Sequence, residues 1–333
     1  MQVNGSKPAS LTEFELVGFP GLLDYKILLF VGCLLLLLIT LTANFLILLL
    51  VSLDHRLHTP MYFFLCNLSL LDILMTTAII PKLLAVLSGY NKTISFAGCF
   101  AQMYFVVSVG TTENFLLAAM AYDRYIAVVK PLHYNVIIDF KKCMFILSIV
   151  LALGFFMPFV FLVLIIDLPY CGSNKVMHCF CDFSTVIALA CTDISYYANS
   201  ASGVAMFGNY VPLLFVLWTY ARIVNSVLKL KTTESLSKAF SMCFSHATVV
   251  SVHYVSASIA HAVYNIQTLS YDGRIFVGGL NYFLMPVANP MIYSLRNEKI
   301  KDAAKRYLHF SFLFSQNAKN SIIGTDKVLP KDG

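Results

Sequence analysis

Two carboxylic acids interrupt stretches of the chain that are otherwise free of charge, and their residue type limits the chemistry they could perform. Asp72 lies within residues 57–81 and Glu113 within residues 93–122, and neither stretch contains another Asp, Glu, Lys or Arg. A pair of carboxyl groups could act as general acid and general base in hydrolysis. Alternatively, their oxygens could hold a hard cation, which prefers oxygen ligands. The segments that carry the two acids decide between these interpretations.

A carboxylate and a guanidinium are adjacent just after the second of these stretches. Asp123 and Arg124 stand between Tyr122 and Tyr125 in the segment AMAYDRYIAVVKPLHY, where an apolar run meets a basic one. An Asp at the end of a membrane helix can hold the side chain of the next Arg near the interface, and water there makes the pair cheap to break. The pair therefore has the form of a latch. The alternative is that Arg124 only extends its charged end to the lipid headgroups.

Apolar segments of membrane-spanning length make up most of the chain. Of its 333 residues, 59% are hydrophobic and 12% charged, and its mean hydropathy is +0.76. Roughly 20 apolar residues cross a bilayer as a helix. Stretches of that length or longer without a charged residue are 27–53, 143–166, 194–221, 239–271 and 275–295. Together with 57–81 and 93–122, they predict an all-α membrane protein with seven transmembrane helices.

This arrangement argues against catalysis by the two acids. Asp72 is near the middle of the second span, and Glu113 lies about 15 Å along the third helix from Asp123, so both are at a similar depth. They face a bundle interior with no evident route for water and substrate. With Asn44 and Asn289 they could instead form a polar pocket. The simpler alternative is two protonated acids, each hydrogen-bonded to its neighbours.

The basic residues predict the orientation. If the N-terminus is outside, six of the 23 Lys and Arg residues fall in outside segments and 17 on the other face. Such a bias places the basic loops in the cytoplasm. We therefore expect a multi-pass plasma-membrane protein with an extracellular N-terminus, glycosylation sequons at Asn4 and Asn91 and a cytoplasmic C-terminus. Topology and anionic lipid account for the basic loops, so no nucleic-acid partner is expected.

Five of the nine cysteines fall in segments predicted to face the oxidising exterior: Cys99, Cys171, Cys179, Cys181 and Cys191. This clustering predicts disulfides, and the odd number leaves one thiol over. Spacing alone does not give the connectivity. A metal site at His178-Cys179-x-Cys181 is the alternative.

Five segments, in order along the chain, resemble the vertebrate odorant-receptor family of rhodopsin-like (class A) G-protein-coupled receptors. They are LHTPMYFFLCNLSLLD (57–72), MAYDRYIAVVKPLHY (120–134), PYCGSNKVMHCFCDFSTVIALAC (169–191), KAFSMCFSHA (238–247) and NPMIYSLRN (289–297). The sequence also departs from the family pattern. Val252-His253-Tyr254 replaces a Phe-Tyr-Gly type of stretch, and Cys179 is an additional cysteine.

The resemblance implies a seven-transmembrane helix bundle of the rhodopsin-like type with a short amphipathic eighth helix. The expected organisation is an extracellular segment at 1–25, the receptor domain at 26–296, a membrane-surface helix at 297–310 and a disordered cytoplasmic tail at 311–333. The expected function is to bind a small organic ligand from outside and to activate a stimulatory, olfactory-type heterotrimeric G protein, which raises cyclic AMP; the chain is not expected to be an enzyme. Alternatives are a non-olfactory receptor of the same type for a lipid or peptide, or a channel or transporter.

The resemblance also assigns roles to residues. The switch that acts on the G protein would comprise Asp123, Arg124, Tyr125, Tyr220, His246, Asn289, Pro290 and Tyr293, with Tyr220 and His246 as candidates to hold Arg124. An allosteric sodium ion, or protons, would bind at Asn44, Asp72, Glu113 and Asn289, and no other cofactor is implied. Cys99 and Cys181 would form one disulfide, and Cys171 and Cys191 are the other cysteines expected to be bonded.

The resemblance places the ligand between the outer halves of the third, fifth, sixth and seventh spans. On the third span, helical spacing puts the candidate residues on one face. None of the candidates is an Asp or Glu, which argues against an amine ligand held by a salt bridge. His261 is the polar residue expected to orient the ligand. The predicted lining is Met103, Val106, Val107, Gly110, Thr111, Val204, Ala205, Gly208, Tyr254, Ala257, Ser258, His261, Gly279 and Tyr282.

Overall fold

The protein is a bundle of seven long helices. The structure, a computed structural model, describes residues 11–229, 233–264 and 270–307, without the side chains of 233–242, 261–264 and 271. The long helices are α1 (Lys26–Leu53), α2 (Pro60–Ser88), α3 (Phe96–Val129), α4 (Phe140–Ile166), α5 (Ser195–Val227), α6 (Thr233–Tyr264) and α7 (Tyr271–Arg296). A shorter helix, α8, spans 298–307. The predicted seven-helix fold is confirmed.

Six of the described helices, all the long ones except α6, have the length and hydropathy needed to cross a bilayer. Their outward faces carry large apolar side chains such as Phe45, Phe156 and Trp218, which lipid would cover. α6 is equally long but carries the buried polar residues His246 and His253.

The third helix is the centre of the bundle. α3 packs against α2, α4, α5 and α6, and most of its length is buried. The tightest approach is to α4 at Gly154. A methyl group added there would lie 1.9 Å from Thr112 Oγ1 and 2.8 Å from Thr112 Cα. The two helices can meet at this distance only because Gly154 has no side chain.

The end of the bundle that carries residue 11, here called the N-terminal face, has a small three-stranded sheet. Strand β1 (Glu13–Leu16) lies between β2 (Thr93–Ser95), to which it is antiparallel, and β3 (Lys175–Val176), to which it is parallel. Phe14 is fully buried against an aromatic cluster of Phe96, Phe100 and Tyr170. This sheet cannot be predicted from the sequence, because strands of two to four residues show no usable periodicity.

Two disulfides anchor the α4–α5 loop. Cys99 bonds Cys181 with the Cα atoms 5.5 Å apart, and Cys171 bonds Cys191 with the Cα atoms 5.8 Å apart. The extra thiol is Cys179, which is fully buried 3.7 Å from His178 Nδ1, and its burial raises the pKa of the thiol. Because the Cys181 sulfur is already bonded, the alternative metal site at His178-Cys179-x-Cys181 is excluded.

The opposite end, here called the C-terminal face, carries α8. Arg306 pairs with Asp54 in the α1–α2 loop, and Tyr307 OH donates to Leu53 O at 2.7 Å. The side-chain hydrogen bond from Arg306 lowers the pKa of Asp54 below its usual value. A lowered pKa means that this pairing stabilises the folded chain at neutral pH and is lost only as the pH falls through that pKa. Helix α8 is therefore tied to the bundle at both of its last described residues.

The apolar side of α8 faces the bundle at Ile300 and Ala303, which are buried, while Lys299, Lys305 and Arg306 are exposed. The amphipathic helix is predicted over 297–310, and the last three of these residues lie outside the described residues. So do the predicted tail at 311–333 and the sequon at Asn4. Asn91, the other sequon, is exposed in the turn between α2 and β2.

Replacing Gly154 with alanine should destabilise the protein, because the added methyl group would overlap Thr112 and push α3 from α4. Overpacking of this kind costs roughly 1–3 kcal/mol. The measurement is the thermal unfolding midpoint of the purified protein in detergent. Gly203→Ala on α5 is the matched control, since nothing lies within 4 Å of a methyl group there. Equal midpoints for the two variants would contradict the close α3–α4 contact.

Replacing either Cys99 or Cys181 with serine should prevent the protein from reaching the cell surface, because the Cys99–Cys181 disulfide joins the α4–α5 loop to the start of α3. Staining of the exposed chain on intact cells measures the effect. Cys66→Ser, which removes a free, half-buried thiol on α2, is the control. Normal surface levels for either of the first two variants would show that folding does not depend on this bond.

Candidate functional site

A cavity of about 640 Å³ lies toward the N-terminal face, enclosed by α3, α4, α5, α6, α7 and the α4–α5 loop. Ten of the predicted ligand-binding residues border it. They are Met103, Val106, Val107, Gly110 and Thr111 on α3, Val204, Ala205 and Gly208 on α5, Ala257 on α6 and Tyr282 on α7. The apolar stripe that helical spacing gives on α3 is thus one wall of the cavity.

Three predicted residues do not border this cavity. Tyr254 and Gly279 are buried elsewhere, and the Ser258 hydroxyl donates to Tyr254 O at 2.7 Å. The cavity is bordered instead by the residues that precede them in the chain, His253 in place of Tyr254 and Gly278 in place of Gly279. One residue is about 100° of rotation on a helix, so assigning a face from sequence fails easily by one position. The fourth residue, His261, has a side chain outside the described set.

The α4–α5 loop supplies part of the cavity lining, and no residue of this loop is among the predicted ligand-binding residues. Asp182, Phe183, Ser184 and Ile187 border the cavity from a short helix that begins at Phe183. Asp182 caps this helix: its Oδ2 accepts from the Ser184 and Thr185 N–H groups at 3.0 and 3.3 Å. The Asp182 carboxylate is thus held in place by the backbone of its own helix, and the loop forms one side of the cavity.

Polar side chains from three helices meet at the inner end of the cavity. His253 Nε2 on α6 is 2.6 Å from Asn114 Oδ1 on α3, and Asn114 Nδ2 donates to Asn209 Oδ1 on α5 at 2.7 Å. All three border the cavity. A carboxamide oxygen can only accept, so His253 donates from Nε2. We call this group the cavity floor.

Deeper in the bundle, the four predicted ion-binding residues are all buried. Asn289 Nδ2 donates to Asp72 Oδ1 at 2.9 Å, and Asn44 Nδ2 donates to Thr40 O and Pro286 O, both at 3.0 Å. Asp72 therefore links α2 directly to α7, and Asn44 links α1 to the same helix.

Several oxygens in this region have no hydrogen-bond partner among the described residues: Thr40 Oγ1, Asn44 Oδ1, Asp72 Oδ2, Ser108 Oγ, Glu113 Oε1 and Asn289 Oδ1. A buried polar atom without a partner is costly, and each such case requires an explanation. The orphaned atoms are all oxygens and two belong to carboxyl groups, which is the donor chemistry that a hard cation such as sodium prefers. These residues therefore fit the predicted ion.

The Asp123–Arg124 ion pair, predicted to act as a latch, lies at the C-terminal face. Arg124 is buried and paired with Asp123, with Arg124 Nε 2.9 Å from Asp123 Oδ2. Tyr134, in the loop that follows α3, donates its hydroxyl to Asp123 Oδ1 at 2.6 Å. Among the described residues, neither Tyr220 nor His246 bonds Arg124. Arg124 is thus held by its own neighbour, and the loop holds that neighbour.

The two residues predicted to hold Arg124 bond each other. His246 Nε2 donates to Leu117 O on α3 at 3.1 Å, and its Nδ1 is 2.8 Å from Tyr220 OH on α5. Because Nε2 must donate to a carbonyl, Nδ1 accepts from the tyrosine hydroxyl. His246 therefore joins α6 to both α3 and α5.

The remaining predicted switch residues differ in how they are packed. Tyr293 on α7 is fully buried, and its hydroxyl has no partner among the described residues. Pro290 O accepts from Ser294 Oγ at 2.6 Å. Tyr125 is half-buried, with its ring 5.6 Å from that of Trp218 on α5. Tyr125 therefore packs against α5 and takes no part in the ion pair.

Comparison with known sequences agrees with the motifs and the fold. The olfactory receptor family matches over residues 33–310. Human olfactory receptor 6N1 is 43% identical over 90% of this chain and 96% of its own length. Human olfactory receptor 6F1 is 43% identical over 87% of this chain and 94% of its own length. Mouse olfactory receptor 10J5 is 39% identical over 88% of this chain and 94% of its own length. The chain therefore belongs to the olfactory receptor family of G-protein-coupled receptors, and it is a multi-pass plasma-membrane receptor and not an enzyme.

Proposed function

We propose that this receptor binds a small organic odorant in the cavity and activates a stimulatory, olfactory-type heterotrimeric G protein, which raises cyclic AMP. The observation that carries the proposal is that α3 borders the cavity near one end and holds the Asp123–Arg124 latch at the other. A ligand that shifts one end of a packed helical element can bias contacts at the other.

The proposed orientation puts the cavity outside and the latch inside. The strand β1 and the helix α8 lie at opposite ends of the bundle, and the predicted topology assigns 17 of the 23 basic residues to segments on the same face as α8. The positive-inside bias then directs the N-terminal face to the exterior. In this orientation an odorant enters beside the α4–α5 loop, and the exposed part of the C-terminal face is available to lipid and to the G protein.

Apolar area would supply most of the ligand's binding free energy. The walls carry Val106, Val107 and Val204 with smaller side chains between them. Burial of apolar surface contributes about 25 cal/mol per Å² before the cost of ordering the ligand. A cavity of this kind accommodates a compact, largely apolar molecule.

Two histidines give the ligand a route to the latch. His253 bonds the α3 side chain of Asn114, and His246 bonds the α3 backbone at Leu117. They are seven residues apart, close to two helical turns, so they lie on the same face of α6. Separation of α6 from α3 must break both bonds. A ligand that binds at the cavity floor would weaken the outer one, and α6 would then move away from the inner end of α3 and uncover Arg124.

A sodium ion would stabilise the resting arrangement. Asp72, Glu113, Asn44 and Asn289 would hold it through the oxygens that otherwise lack partners. The ion would supply positive charge where two carboxyl groups are buried together, which keeps α2, α3 and α7 packed around it.

Replacing Arg124 with alanine should abolish ligand-dependent cyclic AMP production while surface expression remains measurable, because the variant has no guanidinium to release to the G protein. A cyclic AMP reporter in transfected cells, normalised to surface staining, measures this. Lys141→Ala removes an exposed charge at the same end of the bundle and serves as control. Full signalling by the Arg124 variant would rule out the latch.

The same cells distinguish a receptor from a channel. We expect the odorant response to disappear when the G protein is absent. An ion flux that persists without the G protein would instead favour a ligand-gated channel.

Replacing Asp72 with asparagine should remove the sodium dependence of the agonist response, because the ion would lose a charged ligand. The measurement is agonist potency as sodium is exchanged for an organic cation at constant ionic strength, which holds screening fixed. Asp167→Asn, at an exposed acid beyond α4, is the control. If the variant and the parent gave the same sodium titration, the ion site would be disproved.

A further inference from the structure

The cavity floor has a defined set of hydrogen-bonding groups that points to one class of ligand. In addition to the three floor residues His253, Asn114 and Asn209, Asn281 on α7 borders the cavity, and it is counted with the cavity floor from here on. Ser256 Oγ on α6 donates to Asn281 Oδ1 at 2.7 Å. Ser256 is one turn from His253 on α6, so the imidazole and the hydroxyl that holds the Asn281 carboxamide lie on the same side of α6, and His253 and Asn281 both border the cavity.

The bonds within this group determine which atoms remain for a ligand. His253 uses Nε2 as a donor to Asn114, and no carboxylate among the described residues bonds the ring, so its Nδ1 carries a lone pair and can only accept. Asn281 uses its oxygen as the acceptor from Ser256, so its amide nitrogen can only donate. Among the described residues neither His253 Nδ1 nor Asn281 Nδ2 has a partner, and neither is sealed from open space.

One acceptor beside one donor is the complement of a hydroxyl group, which donates and accepts through a single oxygen. A ketone, aldehyde or ether oxygen could accept from Asn281 but would leave His253 Nδ1 without a proton to bind. A hydrocarbon would leave both atoms unpaired as it displaced water from them, and that loss counts against binding.

Charged ligand groups are disfavoured at this position. Among the described residues that border the cavity there is no Lys or Arg, and the one acid, Asp182, is engaged at the N-terminus of its short helix. A carboxylate or an ammonium group carried to the floor would be buried without an opposite charge, which costs several kcal/mol.

We propose that the receptor is selective for neutral alcohols, whose hydroxyl group bonds His253 and Asn281 while an apolar body fills the cavity between α3 and α5. This inference rests on the proposed function, because it names the ligand class of the same cavity. The alcohol would therefore bond the same imidazole that joins α6 to Asn114 on α3, so the recognised group sits on the outer of the two α6–α3 contacts.

The test is a series of compounds with one body and different end groups. Straight-chain compounds of six to ten carbons are compared as primary alcohol, methyl ether, aldehyde, carboxylic acid, amine and alkane in the cyclic AMP assay. We expect the alcohol to be about tenfold more potent than the ether or aldehyde of equal length, the effect of one or two hydrogen bonds. The acid, the amine and the alkane should be weaker still.

Two variants locate the preference at the floor. His253→Phe keeps an aromatic ring but removes both ring nitrogens, and Asn281→Leu keeps the volume but removes the amide. In each, the alcohol and its methyl ether should become equally potent. Ser258→Ala, on α6 but away from the cavity, should retain the parent preference. Because either floor variant alone could fail to reach the surface, both are measured with surface staining.

The outcomes separate this inference from the function on which it rests. The alcohol assignment would be overturned if potency followed chain length regardless of the end group, or if an acid or amine were the most potent ligand. Either result would leave the proposed receptor function intact. A response to a broad odorant mixture but to none of these compounds would also overturn the alcohol assignment and leave the proposed receptor function intact. Silence toward every compound and the mixture, with the receptor at the surface and forskolin-stimulated cyclic AMP normal, would count against both. A preference that persists in both floor variants would show that another part of the cavity produces it.

Discussion

The lipid bilayer offers polar groups no hydrogen-bond partners, and this constraint organises the whole receptor. Most polar side chains of the interior therefore bond another helix or their own backbone. On α3, Gln102 bonds α2 and the α4–α5 loop, Asn114 bonds α5 and α6, and Asp123 pairs with Arg124 and the loop beyond. These residues are spread along the helix, so α3 is held at several depths. Its central position follows from this as much as from apolar packing.

The same constraint explains why switching and stability can coexist in one bundle. The apolar contacts of α1, α2 and α4 with their neighbours compete only with contacts to lipid tails, which a ligand in the cavity does not supply. The hydrogen bonds of α6 to α3 are different, because each is made by one neutral imidazole to one oxygen and can be exchanged for a bond to a ligand or to water. The bonds that can be exchanged lie on α6, the helix that moves in the proposed mechanism, and the oxygens without partners near Asp72 lie at the proposed ion site.

Much of this architecture can be predicted from the sequence, and the failures have physical reasons. The length of the charge-free stretches predicts the helices, and the adjacency of Asp123 and Arg124 predicts their ion pair. The cavity wall on α3 follows from spacing, but the faces of α6 and α7 were misjudged by one residue at Tyr254 and Gly279. Sequence adjacency could not show that Tyr134, rather than Tyr220 or His246, completes the latch, because that contact depends on how the loop folds back. The sheet around β1 and the close approach at Gly154 depend on distant backbone segments, which leave no local pattern.

The additional cysteine on the N-terminal face illustrates a chemical consequence of burial. Cys179 is two residues from Cys181, so its sulfur could in principle attack the neighbouring bond and exchange partners with Cys99. Attack requires the thiolate, and the raised pKa of the buried Cys179 keeps it protonated at physiological pH. Packing therefore protects the covalent connectivity of the loop once it has formed. Rearrangement of the sulfur pairs is confined to the nascent chain, before the thiol is enclosed.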